Sequence, residues 1–452
     1  MPNEHIKPQL LKGFRDFLPE QMILRQRIIG TLREIFELHG FAPLDTPALE
    51  YLATLAGKYG EDERLLYRFQ DAGGREVGLR YDLTVPLARV VGMYNHEMVF
   101  PFKRYHIAPV WRAEKPQHGR YREFYQCDVD IVGAPSKLAD AEILSILLEA
   151  MDAFGFTGYS ILLYNRKLLT AMALYAGVPA DQAGLIYRAL DKLGKIGPEG
   201  VLAEMDRYGI AADAARRALD YATEGVGGDN MQLLAAIERR QAGDTLTQAG
   251  VGELREVLEH LHNLSPSAGR VRIDPTLARG LDYYTGPIWE INVEEPKIGS
   301  LGGGGRYDQL VGMFSGRDLP TTGSSIGLER IIDVLTELGM VQAERGVSKA
   351  MVAVVGREVL PAALGLLREI RAACIPSEIF LNPDEKLGKQ LQYADRLGIP
   401  VAVIVAPDEL SRGEALVKHL QTQTQQTVPI SGVVAALGLS SESAQPTPPP
   451  IR

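Results

Sequence analysis

The spacing of apolar residues along the first part of the chain predicts both helices and strands. Residues 19–39 carry isoleucine, leucine and phenylalanine three and four positions apart, which is typical of an amphipathic helix. The same spacing of apolar residues predicts helices over 137–154 and 166–176. Residues 65–72 and 75–82 instead have the pattern of two short strands joined by a turn at Ala72-Gly73-Gly74. The chain therefore begins as a mixed fold.

Two longer strands are predicted between Phe100 and about Val132, joined by the loop KPQHG. In the second, RYREFYQCDVDIVG, side chains alternate between faces, so one face is mostly apolar and the other carries two guanidinium groups, an amide and two carboxylates. If the strands pair through the loop, their charged faces fall on the same side of the sheet. This polar face could bind a ligand, or it could be a solvated face whose charges only form salt bridges with one another. However, Gln126 and Asp130 lie among residues that look buried, where carboxylates are usually paired or functional.

The pattern changes further along the chain. Residues 178–264 are rich in alanine, leucine, arginine and glutamate at helical spacing, which predicts a helical insertion. Strand character returns over 270–293, a glycine cluster follows at 299–308, and a helix is predicted from near Gly327. After a polar stretch that has the composition of a linker, short β-branched runs alternate with helical segments. That alternation favours a compact α/β domain.

Composition narrows the class of protein. The length of 452 residues suggests two to four domains, and the apolar content of 46% is that of an ordinary globular protein. No apolar run reaches the roughly 18 residues of a membrane span, and the N-terminus lacks the apolar core of a signal peptide. Cys127 and Cys374 have no metal-ligand spacing, so a reducing cytoplasm is expected. A net charge of −9 means that any contact with nucleic acid needs a local basic patch.

The polar face of the two long strands and the residues near it offer two kinds of chemistry. Arg112 could hold a phosphate with two parallel hydrogen bonds. Gln126 and Asp130 could accept hydrogen bonds from an ammonium group, and Asp82 and Thr84 in LRYDLT could add further acceptors. This surface suits a ligand that carries an amine and meets a second, phosphate-bearing substrate.

Other basic residues could also hold anions. The segment 103–122 contains six basic residues and one internal acid, a local patch of the kind that a phosphate backbone needs, unless it is a counterbalanced surface. Arg279 could stabilise charge that develops on transferred oxygens, and Arg330 could clamp a phosphate, although each could be an ordinary surface arginine. Gly302–Gly305 could let the backbone approach a ligand, but a flexible loop is the commoner explanation for such a run. No phosphate-binding P-loop pattern is present, so arginines would hold phosphates.

Together and in this order, the motifs resemble those of histidyl-tRNA synthetases, a family of class II aminoacyl-tRNA synthetases, over roughly residues 8–436. KGFRDFLPEQ resembles the family's N-terminal segment, TPALE resembles motif 1, WRAEKPQHGRYREFYQCDVD resembles motif 2, and GSSIGLERI resembles motif 3. ARGLDYYTG and GGGGRYD resemble two peptides peculiar to the histidine enzymes.

The resemblance implies a fold and an organisation. It implies an α+β catalytic domain built on an antiparallel sheet, with a helical insertion, plus a C-terminal α/β anticodon-binding domain. The implied boundaries are a catalytic core at 1–177 and 265–341, an insertion at 178–264, a linker at 342–349, an anticodon-binding domain at 350–437 and a disordered tail at 438–452. It also implies a cytoplasmic homodimer whose partners are histidine and tRNA(His), with no membrane contact.

The resemblance further implies the reaction and the residues that carry it. Histidine and ATP would give histidyl-adenylate and pyrophosphate, and histidine would then pass to the 3′-end of tRNA(His). Mg²⁺ would bridge the ATP phosphates without a dedicated protein metal site. The implied roles are catalysis by Arg279 and Arg112, histidine binding by Asp82, Thr84, Gln126, Asp130, Tyr283, Tyr284 and Tyr307, ATP binding by Arg112, Glu114 and Arg330, and contact with the tRNA acceptor end by Lys115 and Gln117.

Two alternatives to this reading remain. A catalytically silent relative of the family serves as a regulatory subunit of ATP phosphoribosyltransferase, but it lacks the anticodon domain and several catalytic residues. This chain keeps Arg112, Arg279 and Arg330 and has a full C-terminal domain. A class II synthetase for another amino acid is the second alternative, and the two histidine-specific peptides argue against it. Many bacterial members have glutamate where this chain has Asp82 and Asp130, and arginine where it has Lys115.

Overall fold

The computed structural model describes residues 7–116, 119–278, 283–341 and 344–438. The chain divides into two compact units, one formed by Met1–Arg15 with Arg27–Val341 and one by Asp16–Gln26 with Gln342–Arg452. The predicted tail from residue 439 onwards and residues 342–343 of the predicted linker lie outside the described residues. None of the helices in the described ranges has the length and apolar character needed to cross a membrane.

The larger unit is built around an antiparallel sheet, as the sequence analysis predicts. Its strands are β1 (Ala42–Pro43), β2 (Leu49–Tyr51), β3 (Arg68–Gln70), β4 (Glu76–Leu79), β5 (Phe102–Trp111), β6 (Glu123–Val132), β7 (Tyr159–Asn165), β8 (Val271–Ile273), β9 (Pro287–Val293), β10 (Gly302–Arg306) and β11 (Thr321–Gly327). Eight of them form one sheet in the order β1-β5-β6-β11-β10-β9-β7-β8, and β2-β4-β3 form a small second sheet. In the large sheet only the outer pairs β1–β5 and β7–β8 are parallel.

Twelve α-helices precede, connect or follow these strands along the described chain. They are α1 (Pro19–Leu38), α2 (Leu52–Leu55), α3 (Thr84–Tyr94), α4 (Leu138–Ala153), α5 (Arg166–Tyr175), α6 (Ala183–Leu190), α7 (Leu193–Arg207), α8 (Ala212–Thr223), α9 (Asn230–Arg240), α10 (Thr245–Leu264), α11 (Gly312–Ser315) and α12 (Leu328–Glu337). Residues 183–264 are almost wholly helical, and α7 is kinked at Gly197, just before Pro198. Most residues of helix α4 are buried because the helix packs against α10 and the large sheet.

The central strands β5 and β6 pair in the register that brings their polar faces together. Arg104 lies opposite Asp130, and His106 lies opposite Asp128. Directly opposed residues in an antiparallel pair project to the same face. The prediction that the charged faces of the two strands share one side of the sheet is therefore confirmed, as is the burial of Gln126 and Asp130.

The glycine run Gly302–Gly305 is part of strand β10, so the flexible-loop interpretation is wrong. Close packing against the neighbouring strand explains the composition. A Cβ atom on Gly304 would lie 2.1 Å from the carbonyl oxygen of Gly323, and one on Gly323 would lie 1.9 Å from Oδ1 of Asp130. Glycine at these positions leaves room for the backbone and side chains that form the polar face.

A buried ion pair joins this glycine strand to helix α4. Arg306 Nη2 lies 2.6 Å from Asp140 Oδ2, and both side chains are almost fully buried. Arg306 Nη1 donates to the carbonyl oxygen of Ala134 at 2.9 Å, and the Thr322 hydroxyl donates to Asp140 Oδ1 at 2.7 Å. The arginine of the GGGGRYD motif therefore has a structural role in joining the sheet to the helix.

The smaller unit contains a five-stranded sheet in the order β13-β12-β14-β15-β16. Its strands and helices are β12 (Ala350–Val354), α13 (Leu360–Ala372), β13 (Ser377–Ile379), α14 (Leu387–Arg396), β14 (Val401–Val405), α15 (Pro407–Ser411), β15 (Glu414–His419), β16 (Thr424–Pro429) and α16 (Val433–Ala436). The first three strands are parallel, as the alternating pattern predicts. The antiparallel hairpin β15–β16 was not predicted, because β16 is polar and largely exposed and so lacks an apolar alternation.

A titratable cluster connects the segment after α1 to helix α4. His39 lies between Glu142, at 3.4 Å from Nδ1, and Glu149, at 2.8 Å from Nε2, while Lys103 contacts Glu142 at 2.9 Å. The hydrogen bond to Glu142 raises the pKa of His39 despite partial burial. Hydrogen bonding to His39, and then to Lys103, lowers the pKa of Glu142 to about 2.

This cluster predicts a pH-dependent contribution to stability. Because the pKa of His39 is raised on folding, its contribution is fully present below the unfolded pKa and is lost as pH rises through the folded pKa. We expect His39→Gln to lower the free energy of unfolding by less than about 1 kcal/mol in mildly acidic buffer, since solvent screens the pair, and by less still at alkaline pH. Unfolding of both proteins measured from pH 5.5 to 9 tests this. A difference that does not vary with pH would contradict it.

Candidate active site

Two adjoining cavities open on the polar face of the large sheet. The smaller has a volume of about 170 Å³ and the larger about 730 Å³. Both are lined by Arg112, Gln126, Tyr284, Gly303 and Ser325, so these residues form the junction between them. A ligand in one cavity can therefore meet a ligand in the other.

The small cavity is lined by acceptors that the protein leaves without partners. Asp82, in the turn between β4 and α3, accepts hydrogen bonds at Oδ1 from the Tyr59 hydroxyl at 3.3 Å and from the Val85 amide at 3.0 Å. Asp82 Oδ2 and Gln126 Oε1 are buried and have no hydrogen-bond partner among the described residues. A buried unpartnered acceptor costs roughly 1–3 kcal/mol. Two in one cavity indicate a site for a donor-rich cation such as an ammonium group.

Asp130 is held in place at the floor of the same cavity. Arg104 Nη2 lies 2.8 Å from Asp130 Oδ2, and the Tyr307 hydroxyl donates a short hydrogen bond to Oδ1. Burial raises the pKa of Asp130, whereas the Arg104 guanidinium and the Tyr307 hydroxyl act in the opposite direction. The carboxylate therefore has a fixed orientation. Gly323 leaves the space that this orientation needs.

Three tyrosines form an aromatic wall of the small cavity. The rings of Tyr283 and Tyr284 meet edge to face with centroids 5.0 Å apart, and Tyr307 lies 5.7 Å from Tyr283 and 6.5 Å from Tyr284. Burial raises the pKa of all three hydroxyls, so they stay protonated near neutral pH. The wall can contact a flat ring through its faces and edges and can offer it hydroxyl groups.

Cationic side chains line the large cavity. Arg112 donates from Nε to the carbonyl oxygen of Tyr81 at 3.1 Å, and its guanidinium lies 4.1 Å from the Tyr81 ring centroid. Arg330, in the first turn of α12, donates to the carbonyl oxygens of Ser300 and Gly119. Glu114 and Lys115 line the same cavity. The two arginines are held by backbone and aromatic contacts, which favours binding of a polyanion.

Only some basic residues of the predicted patch over 103–122 lie together on one surface. Lys103 pairs with Glu142, and Arg104 is fully buried against Asp130, so neither belongs to an exposed cationic surface. Arg112, Lys115 and Arg120 do line the large cavity. Three of the six basic residues are therefore cavity residues, and the interpretation of one continuous positive surface is wrong for Lys103 and Arg104.

The structure brings most of the predicted site residues together. Asp82, Thr84, Gln126, Asp130 and the three tyrosines line the small cavity, while Glu114, Lys115 and Arg330 line the large one. Arg279 and Gln117 lie outside the described residues. Sequence reasoning placed Arg104 on the polar face without assigning it to the site, and it missed Ser325. The alternation in FKRYH was a signal for Arg104, and Ser325 lies within GSSIGLERI, the segment that resembles motif 3, where nothing distinguishes it from its neighbours.

Comparisons with known proteins agree with this geometry. The family model for histidyl-tRNA synthetase matches residues 13–331, and a model for an anticodon-binding domain matches 349–438. A histidine–tRNA ligase of Aeropyrum pernix is 44% identical over 444 residues, covering 95% of this chain and 98% of that protein. One from Rhodopirellula baltica is 44% identical over 433 residues, covering 94% and 96%.

Solved structures give the same result for the fold. The crystal structure of histidyl-tRNA synthetase from Nostoc sp. PCC 7120 has a TM-score of 0.87 at 30% identity, covering 96% of this chain and 99% of that one. A Bacillus halodurans protein described as an ATP phosphoribosyltransferase regulatory subunit/histidyl-tRNA synthetase has a TM-score of 0.73 at 21% identity, which shows the shared fold alone.

The antiparallel sheet with its two cavities, joined in one chain to an anticodon-binding domain, defines a class II aminoacyl-tRNA synthetase. Within that class the chain belongs to the histidyl-tRNA synthetase family. It is accordingly a ligase that uses ATP to activate histidine as histidyl-adenylate and then charges tRNA(His).

Proposed function

We propose that the small cavity binds histidine and that the large cavity binds ATP. The observation that carries this assignment is the pair of buried, unpartnered acceptors, Asp82 Oδ2 and Gln126 Oε1. The α-ammonium of histidine supplies the donors that both oxygens lack. Thr84, at the first position of α3, lines the cavity beside Asp82 and completes the ammonium site.

The aromatic wall and Asp130 are proposed to bind the imidazole ring. The Asp130 carboxylate is fixed by Arg104 and Tyr307, so it can accept a hydrogen bond from a ring N–H without reorganising. Tyr283 and Tyr284 pack beside the ring, and Tyr307 both packs and holds Asp130. This arrangement selects a flat, polar side chain over an aliphatic one.

Activation takes place at the junction of the two cavities. An oxygen of the histidine carboxylate attacks the α-phosphorus of ATP, the bond from that phosphorus to the bridging oxygen of pyrophosphate breaks, and pyrophosphate leaves. Arg112 lies at the junction and neutralises charge on the α-phosphate, while Arg330 holds the far end of the triphosphate and Glu114 lies by the adenine. Arg279 is proposed from its motif to share the stabilisation of the α-phosphate.

Transfer follows at the same junction. A terminal ribose hydroxyl of tRNA(His) attacks the carbonyl carbon of the adenylate, the carbon–oxygen bond to AMP breaks, and AMP leaves. The hydroxyl proton passes to the departing phosphate. Lys115 and, from its place in the sequence, Gln117 are proposed to contact the acceptor end, and residues 350–437 are proposed to bind the anticodon.

The large cavity can hold Mg²⁺ only if the nucleotide phosphates supply some of the metal ligands. Glu114, Glu290 and Glu329 line it and offer the oxygen ligands that Mg²⁺ prefers. The described residues contain no group of three or more histidine, cysteine, aspartate or glutamate side chains placed to hold a metal ion. When bound, the ion would neutralise phosphate charge, with its remaining ligands supplied by phosphates and water.

The assembly and location form part of the same proposal. Leu49, Tyr51 and Phe69 are exposed apolar side chains on the small sheet β2-β4-β3. A homodimer that covers this sheet would bury them, and motif 1, at residues 46–50, runs into strand β2 of the same sheet. We place the reaction in the cytoplasm, where tRNA charging serves protein synthesis.

Histidine-dependent exchange of pyrophosphate into ATP tests the assignment of the cavities. We expect exchange with histidine and with no other standard amino acid. Asp82→Asn should raise the KM for histidine about 10- to 100-fold and leave the KM for ATP nearly unchanged, because a charge-assisted bond to the ammonium contributes roughly 1.5–3 kcal/mol. Asp181→Asn, an exposed aspartate of the insertion, is the matched control. Histidine binding without exchange would instead favour a regulatory protein.

A further inference from the structure

Three side chains on the polar face, Gln126, Ser325 and Asp128, form a row at the small cavity, and the first two of them line it. Gln126 donates from Nε2 to the hydroxyl oxygen of Ser325 at 2.9 Å, which leaves its Oε1 buried and unpartnered among the described residues. Ser325 lies directly opposite Asp128 in the pairing of β11 with β6, so their side chains share one face. Asp128 is buried and does not line either cavity.

The chemistry of the three side chains limits which of them can donate and which can accept a hydrogen bond. A carboxylate can only accept, a hydroxyl can donate one proton and accept others, and a glutamine amide can present either of its ends. Burial raises the pKa of Asp128 to about 7, so above that pH the group is a carboxylate, and its buried Oδ1 has no hydrogen-bond partner among the described residues. The Ser325 oxygen accepts from the Gln126 amide nitrogen, and the Asp128 carboxylate is the acceptor on the same face toward which the Ser325 proton can turn.

We propose that Asp128 and Ser325 are positioning residues that fix the orientation of the Gln126 amide, so that its carbonyl oxygen and not its nitrogen faces the ligand. Neither residue donates to the ligand itself. The row makes the small cavity selective for a ligand with an ammonium group, because a reversed amide would point two N–H donors at that cation. This inference rests on the proposed function, in which Gln126 accepts from the α-ammonium of histidine.

Two substitutions act on the row in different ways. Asp128→Asn keeps the shape of the side chain but introduces an N–H₂ group that can donate to Ser325. The Ser325 proton is then free to turn toward Gln126, which reverses the amide. Ser325→Ala removes the connection altogether, so that nothing in the row selects between the two amide orientations.

Two competitive inhibitors of histidine-dependent exchange, assayed above the pKa of Asp128, separate this effect from general damage. Histidinol carries the imidazole and the ammonium, whereas 3-(imidazol-4-yl)propanoate carries the imidazole and the carboxylate without the ammonium. We expect both variants to weaken histidinol about tenfold or more, as for the loss of one charge-assisted hydrogen bond. Inhibition by the propanoate should change by less than about twofold, and the KM for histidine should change more than kcat. Ser267→Ala, which removes a serine hydroxyl bonded to Asp152 outside both cavities, is the matched control.

The double variant decides whether Asp128 acts through Ser325. If it does, Asp128→Asn has no further effect on histidinol inhibition in the Ser325→Ala background. Additive effects would mean that Asp128 acts by its charge alone, and equal weakening of both inhibitors would mean a general structural role. Either result overturns the inference. These outcomes are distinct from failure of the proposed function, which would appear as no histidine-dependent exchange by the unmodified protein.

Discussion

Asp140→Ala is expected to lower the free energy of unfolding of the larger unit by about 3–5 kcal/mol, because it leaves the Arg306 guanidinium buried without its main counter-charge. Both side chains are almost fully buried. The other carboxylate paired with Arg306 is Asp308, which lies 3.4 Å from Nη1 and is partly exposed. The backbone carbonyls that also contact Arg306 cannot replace a full negative charge.

Calorimetry of the full chain measures this loss as a fall of several degrees in the unfolding temperature of the larger unit. Glu238→Ala is the matched control, because it breaks an exposed ion pair with Arg255 of similar length, 2.8 Å, in the same unit. Surface pairs contribute little, so the control should unfold almost as the unmodified protein does. Replacing both Arg306 and Asp140 by apolar residues of similar volume should cost less than Asp140→Ala alone. Equal effects of the buried and exposed substitutions would show that burial of the pair is unimportant.

Arg306 also shows where inference from the sequence stops. Its motif, GGGGRYD, was assigned to ligand binding through the resemblance to a family, yet its arginine bonds to a helix 166 residues away along the chain. The long strands, the helical insertion and the α/β character of the smaller unit follow from local periodicity, and the sequence predicts them. Which strand pairs with β6 is not a local property, so the approach of Ser325 to Gln126, 199 residues apart, has no signature in either segment.

The candidate site was predicted to the extent that its residues alternate along one strand. The alternation in RYREFYQCDVD places Gln126, Asp128 and Asp130 on one face, and the structure confirms that face. The pattern could not predict the hydrogen-bond partners of each group or whether the group lines a cavity. Asp130 is paired with an arginine, Gln126 has an unpartnered carbonyl oxygen, and Asp128 is buried outside both cavities, because neighbouring strands determine their surroundings.

Gly323→Ala is expected to reduce kcat/KM for histidine in the exchange reaction by a factor on the order of 100, the scale of a displacement of about 1 Å in a reacting group. An added Cβ would lie 1.9 Å from Asp130 Oδ1 and 2.9 Å from the Val129 carbonyl oxygen. Because the backbone of β6 is held between two strands, the Asp130 side chain has to move. That movement breaks its contacts with Arg104 and Tyr307 and misplaces the group proposed to bind the imidazole.

The position of Gly323 makes this prediction selective as well as large. Gly323 lines the small cavity and not the large one, so ATP should bind the variant with nearly unchanged affinity, which equilibrium titration measures. Gly184→Ala is the matched control, because a Cβ there meets open space and alanine favours a helix. Loss of ATP binding together with exchange would indicate general unfolding, and unchanged exchange would mean that Asp130 does not need its observed position. The selective result follows only if one glycine, by leaving room for one carboxylate, holds the histidine site in its working shape.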